Sequence, residues 1–172
     1  MTNAAPAHNA ILPFTRNVIG PMDYTPCTFT DSQNPHITTD CHELALPILF
    51  ESGLQHMADR PEAYLGLPDE IRNLLSRLPS AWDDTRLLAG YPGQFAVLAR
   101  RSGDTWYIAG INGTAEELTI TPDYSRLGAS ITLETLITDN GSEPGKGFNI
   151  QHNTPAGPLT IPARGGFVAL VR

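Results

Sequence analysis

Apolar positions recur along this chain with two different periods. In the first half the spacing is helical. Leu44, Ile48, Leu49 and Phe50 through Met57 form a broad face, and Asp40 with Glu43 three residues later fits a capping box, in which each side chain satisfies an orphan backbone donor. Pro47 lies inside this stretch and removes the bond to the Glu43 carbonyl, which predicts a kink or a late start. A second helix is predicted after Pro68, with Asp69 and Glu70 in its first turn and Ile71, Leu74, Leu75 and Leu78 at helical spacing before Pro79. Ahead of both helices, the run Ala10-Ile11-Leu12-Pro13-Phe14, continuing to Val18–Met22, reads as a buried strand followed by a loop, although Pro13 removes one ladder bond. Residues 25–39, rich in Pro, Thr, Ser, Asn and Gln, read as loop.

From about residue 92 the period falls to two. Gln94–Arg101, Thr105–Ile111 and Ala115–Ile120 alternate as strands, with Ser102-Gly103-Asp104 and Asn112-Gly113 as their turns. Further strands are predicted at 130–138, 147–152, 157–161 and 166–171. About seven short strands separated by turns indicate an antiparallel sandwich. The first half does not close into a domain so readily, because one strand and two helices cannot cover their own edges. The expected organisation is therefore α+β. Residues 1–89 read as the end of a (β/α)8 barrel, a fold that takes roughly 250 residues. Residues 90–172 read as a C-terminal all-β sandwich domain.

Composition narrows the function classes. Of 172 residues, 41% are hydrophobic and 17% charged, and the net charge is −7. That combination argues against disorder. The 11 Lys and Arg are scattered, with Arg100-Arg101 the sole adjacent pair, so the basic stripe that nucleic-acid binding requires is missing. No run of 18 apolar residues is present, so no membrane span is expected, and Met1–Asn9 lacks the basic and apolar regions of a signal peptide. Cys27, His36, Cys41 and His42 lack the close ligand pairing of a structural zinc site, and the two cysteines read as buried thiols. Gly145-Lys146 fails the phosphate-loop spacing and reads as a turn.

The block Leu12-Pro13-Phe14-Thr15-Arg16-Asn17-Val18-Ile19-Gly20-Pro21-Met22-Asp23-Tyr24-Thr25-Pro26 resembles a sequence block of glycoside hydrolase family 97. Further matches follow in that family's order: His42-Glu43-Leu44-Ala45-Leu46, Phe50-Glu51-Ser52-Gly53-Leu54-Gln55-His56, Trp82-Asp83-Asp84-Thr85-Arg86 and Tyr91-Pro92-Gly93. Pro47 departs from the pattern. The resemblance implies a parent with an N-terminal β-sandwich, a catalytic barrel and a C-terminal β-domain. Such a parent is an exo-acting α-glucosidase or α-galactosidase, calcium-dependent and exported to the bacterial periplasm. Its partner is an α-linked oligosaccharide.

The family's catalytic carboxylates and calcium ligands lie upstream of the first block, so the resemblance carries no catalytic or metal residue onto this chain. The expectation is a C-terminal portion of the glycosidase that is inactive in isolation. A carbohydrate-binding or purely structural β-module is the alternative. Arg16, Asp23 and Tyr24 are the candidate sugar-pocket residues, since they follow a predicted barrel strand; Arg16 and Asp23 could equally pair with each other or with loop amides. Asp83-Asp84, adjacent in an extended chain, point to opposite faces and read as a solvated linker. Trp106 and Tyr107 face opposite sides of one strand, one in the core and the other either packed against the barrel or free to stack on a sugar. Self-association is expected through the exposed faces of the barrel fragment.

Overall fold

The computed structural model describes residues 4–25, 27–31, 35–128 and 131–172. Pro26 of the first family block and Ser130, the expected start of a strand, lie outside the described residues. The first half holds five short helices: α1 (Ala5–Asn9), α2 (Arg16–Ile19), α3 (Asp40–Leu49), α4 (Pro61–Leu65) and α5 (Asp69–Arg77), with a 3-10 turn at Leu12–Phe14. The second half holds β1 (Asp84–Tyr91), β2 (Phe95–Ser102), β3 (Thr105–Asn112), β4 (Leu118–Ile120), β5 (Thr132–Asp139), β6 (Phe148–Pro155), β7 (Leu159–Ile161) and β8 (Gly166–Val171).

Six strands form one antiparallel sheet in the order β1-β2-β3-β8-β5-β6, and β4 pairs with β7 as a separate two-stranded ribbon. The sheet is the middle of three layers. Along β2, β3 and β8 the side chains alternate between two cores. Ala96, Leu98, Ala109, Ile111 and Val168 join α3 and α5 on one face. Val97, Ala99, Ile108, Phe167, Ala169 and Val171 meet Ile120 and Ile161 of the ribbon on the other. Strands covered on both sides read as near-continuous apolar runs, and β8, Gly-Phe-Val-Ala-Leu-Val, is such a run. Gly110 lets the Phe167 ring lie directly on the β3 backbone, where a Cβ would collide with it.

Helix α3 is buried at all ten positions, as expected for a helix apolar nearly all round and placed in the interior. The helix runs through Pro47 without interruption. The Glu43 carbonyl that Pro47 leaves unbonded accepts the Cys27 thiol instead, at 3.3 Å. Its N-cap is Thr39, whose hydroxyl accepts from the His42 amide. The expected Asp40/Glu43 capping box is therefore not formed, because both carboxylates are drawn into other contacts. The helix also stops at Leu49 rather than running through Met57, since Phe50 turns to extended backbone. Helix α5 follows the predicted pattern, with Ile71 and Leu74 buried.

Three further expectations are corrected. The apolar run at 10–14 and its continuation form the 3-10 turn and α2 rather than a buried strand; Pro13 suits the first turn of a helix and Phe14 packs under Gly90 of β1. Asn112-Gly113 is not a hairpin turn, because β3 pairs with β2 and β8 while β4 pairs with β7. The Asn112 side chain is buried, donates to the carbonyls of Glu116 and Pro162, and accepts from the Thr114 amide, so it is spent bracing the crossover to the ribbon. Finally, Asp83-Asp84, expected as a linker, lead into β1, whose first residue Asp84 is in register with Arg101. The Gly103-Asp104 turn between β2 and β3 is as predicted, with Gly103 at φ 58°.

Candidate functional site

The loop carrying Arg16, Asp23 and Tyr24 is built from main-chain contacts to residues 51–56. The Met22 amide donates to the Glu51 carbonyl at 3.0 Å, Tyr24 bridges Gln55 in parallel, and the His56 amide donates to the Tyr24 carbonyl at 3.1 Å. Arg16 is spent on the loop itself: its guanidinium donates to the carbonyls of Gly20 (3.0 Å) and Pro21 (2.9 Å). No Arg16–Asp23 ion pair forms among the described residues, and Asp23 stands exposed. The Tyr24 ring packs edge-on against Phe50 with centroids 4.6 Å apart. Burial, then the nearby Glu43 and Cys27, push its phenol far above the usual tyrosine range. Tyr24 is thus an anchoring side chain, whereas Arg16 and Asp23 are both exposed.

The strongest concentration of buried polar chemistry lies elsewhere, at the two ends of α3. At its N-terminus the Asp139 carboxylate, at the end of β5, accepts from Thr39 Oγ1 (2.7 Å), the Cys41 amide (2.9 Å) and the Gly166 amide (3.0 Å). Asp40 accepts from the amides of Gly145 (3.3 Å) and Gly147 (2.7 Å), so the glycine-rich β5–β6 connection cradles the protein's own carboxylate. Glu43 accepts from Thr38 Oγ1 at 2.7 Å. Burial raises Glu43 and Asp139 above the ordinary carboxylate range, against the pull of their hydrogen bonds. At the C-terminus, Arg100 of β2 is 3% exposed and donates to the Leu49 carbonyl (3.1 Å) and Thr85 Oγ1 (3.2 Å), with Glu51 Oε2 at 3.5 Å. Carboxylates at the N-terminal end and a guanidinium at the C-terminal end both complement the helix dipole. Burial also pushes His42 down to about 4, while contacts with the Gly165 and Arg164 backbone pull the other way; its Nε2 lies 3.1 Å from Asn9 Nδ2.

Sequence reasoning missed this latch. Arg100 stands on the face of Ala96 and Leu98, where a lone charge in an apolar row was its one signal. Cys27 and Cys41 are buried free thiols. Among the described residues no three His, Cys, Asp or Glu side chains converge as the ligands of a metal ion would. Asp83 and Asp84 do diverge: Asp83 accepts from the Gly103 amide at 2.8 Å, and Asp84 pairs with Arg86 at 2.8 Å. Trp106 lies on the ribbon face beneath Arg86, 4.8 Å from ring centroid to guanidinium, whereas Tyr107 faces the helices and meets Trp82 edge-on at 5.3 Å.

Residues 81–171 match a family model described as "Glycosyl-hydrolase 97 C-terminal, oligomerisation". A probable retaining alpha-galactosidase of Streptomyces bingchenggensis is 42% identical over 163 residues, covering 95% of this chain and 25% of that protein. A retaining alpha-galactosidase of Bacteroides thetaiotaomicron is 31% identical, over 84% of this chain and 23% of that protein. The chain thus spans about a quarter of the length of these relatives. A crystal structure of a beta-arabinopyranosidase superposes with TM-score 0.81 at 30% identity, covering 98% of this chain and 28% of that one. A glycoside hydrolase family 97 enzyme from Pseudoalteromonas sp. strain K8, in complex with acarbose, superposes with TM-score 0.76 at 26% identity, over 97% of this chain and 28% of that one. With its sheet-rich antiparallel domain matched over more than half of its length by the family's C-terminal model, the chain belongs to glycoside hydrolase family 97.

Proposed function

We propose that this chain forms the C-terminal quarter of an exo-acting retaining α-galactosidase, with terminal α-linked glucose as the second substrate candidate. In this reading it supplies a β-domain and the last part of a (β/α)8 barrel rather than the bond-breaking groups. The observation that carries the reading is the match of residues 81–171 to the C-terminal model together with two α-galactosidase relatives. The parallel bridge Tyr24–Gln55 supports a barrel-wall origin for the first half. Glycoside hydrolysis by the usual route needs two carboxyl groups about 5–9.5 Å apart across the bond. Here the buried carboxylates Asp40 and Glu43 and the half-buried Asp139 are already tied to backbone amides and hydroxyls. Catalytic acids and calcium accordingly belong to the upstream portion of an exported, periplasmic parent, in which Arg16 and Tyr24 brace a loop that presents Asp23 to the sugar pocket.

Self-association is the second element of the proposal. Val18 (73% exposed), Ile19 (86%), Leu54 (59%) and Leu65 (67%) are apolar side chains of the helical half open to solvent, and such surface favours association. Incubation of the purified chain with aryl α-galactoside and aryl α-glucoside, with calcium added, should release no aryl alcohol, and sedimentation should show species larger than a monomer. Turnover by the chain alone would overturn the assignment of chemistry to the upstream part. A strict monomer would overturn the assembly role.

A further inference from the structure

A cleft of about 260 Å³ opens where α5 lies over the sheet. Its floor is one cross-strand row. Tyr107 of β3 is in register with Leu170 of β8, Leu170 with Thr135 of β5, and Thr135 with His152 of β6. Neighbouring strands stand about 4.8 Å apart, so this four-strand row extends about 14 Å, from an aromatic and an aliphatic side chain to two polar ones. The roof is the side of α5 that bears Glu70, Asn73 and Arg77, spaced three and four residues apart and therefore on one helical face. A contact between Glu70 Oε1 and His152 Nε2 at 3.1 Å closes one end, and Glu134 and Arg172, paired at 3.4 Å, also line the cleft.

Two features define what fits. The lining carries two carboxylates and two guanidinium groups, so its formal charge cancels. Arg77 forms no ion pair among the described residues, yet it shares the cleft with both carboxylates, which disfavours an anion. A purely apolar guest would desolvate these groups without returning hydrogen bonds. A pyranose offers the matching combination, with an apolar C–H face for Tyr107 and Leu170 and hydroxyl edges for carboxylate, amide and guanidinium partners. The volume lies just below the usual range for drug-sized ligands, roughly 300–1,000 Å³, and so suits one ring rather than an extended chain.

We propose that this cleft binds a single neutral pyranose residue, held between the Tyr107–Leu170–Thr135 row and the Glu70–Asn73–Arg77 face of α5. The test is independent of the hydrolase reading, because it measures binding by this chain and no turnover. In a two-dimensional 15N–1H titration with methyl α-galactopyranoside and methyl α-glucopyranoside, amide signals of Asn73, Tyr107 and Thr135 should shift saturably with at least one sugar. Inorganic phosphate should leave them in place. Asn73→Ala and Arg77→Ala, both at exposed positions, should each weaken binding roughly tenfold with an unchanged melting temperature. Glu134→Gln, on the opposite wall, should weaken it in the same direction. The absence of saturable shifts with either sugar, saturation by phosphate, shifts confined to other surfaces, or full affinity in all three variants would each overturn the proposal.

Discussion

The two halves of this molecule keep their backbones in order by opposite means. In the β half the strands satisfy one another. Six pair in a single antiparallel sheet, and along β2, β3 and β8 both faces are covered, with side chains alternating between the two cores. In the helical half the elements are short, and α3 alone is fully buried. That half is held to the sheet by the shared apolar core and by charged side chains at the ends of α3: Asp139 and Asp40 at one end, Arg100 at the other. The difference teaches that regular pairing orders a region strand by strand, whereas a region lacking it takes its order from a shared core and a few charges at the ends of its buried helix.

The comparison breaks most readily at Asp139. Asp139→Ala removes three hydrogen bonds to a half-buried carboxylate and leaves the Cys41 and Gly166 amides without that acceptor; a loss of about 4 kcal/mol is expected in urea unfolding. A loss below about 1 kcal/mol would mean that the halves are not latched there. Next in size is His42, within the seam. Its folded value of about 4 lies below the usual 6.5, so the folded chain resists a proton that the unfolded chain takes up. The stability this group contributes is present above pH 6.5 and is lost as pH falls towards 4, by about 3 kcal/mol in all. Glu43 and Asp139, with raised values, act in the opposite sense, so the measurement is the difference between the parent chain and His42→Gln across that window. A pH-independent difference would refute the reading.

Gly166→Ala sharpens the seam from the other side. A Cβ there would sit 2.7 Å from the Cys41 carbonyl oxygen, and the expected cost is about 2 kcal/mol, comparable with Gly110→Ala on the ribbon side. A much cheaper Gly166→Ala would show that α3 rides loosely on the sheet. The smallest effect is expected at Arg86, half exposed over Trp106; Arg86→Ala should cost about 0.5 kcal/mol in thermal unfolding and leave the helical half untouched.

Legibility in the sequence followed the same division. Strands β2, β3, β6 and β8 showed themselves through period-two or continuous apolar runs between turn residues. β1 escaped because a register shift between Leu87 and Ala89 breaks its alternation. The segment at 10–22 misled because an apolar run is ambiguous between strand and helix, and Pro13 served a helical turn. Asn112-Gly113 misled because the Asn side chain was committed to distant carbonyls. For the candidate site, Arg16, Asp23 and Tyr24 were legible as one neighbourhood, but the Arg16 bonds to the Gly20 and Pro21 carbonyls and the packing of Tyr24 on Phe50 were not. Asp139 was not, since its partners lie 98 and 100 residues earlier.

That separation bears on how the chain is made. The first turn of α3 leaves the ribosome before the carboxylate that will receive its Cys41 amide has been synthesised. At about 5–20 residues per second, the interval of 98 residues lasts roughly 5–20 seconds. Throughout it α3, buried at all ten positions in the finished fold, waits for the sheet that covers it.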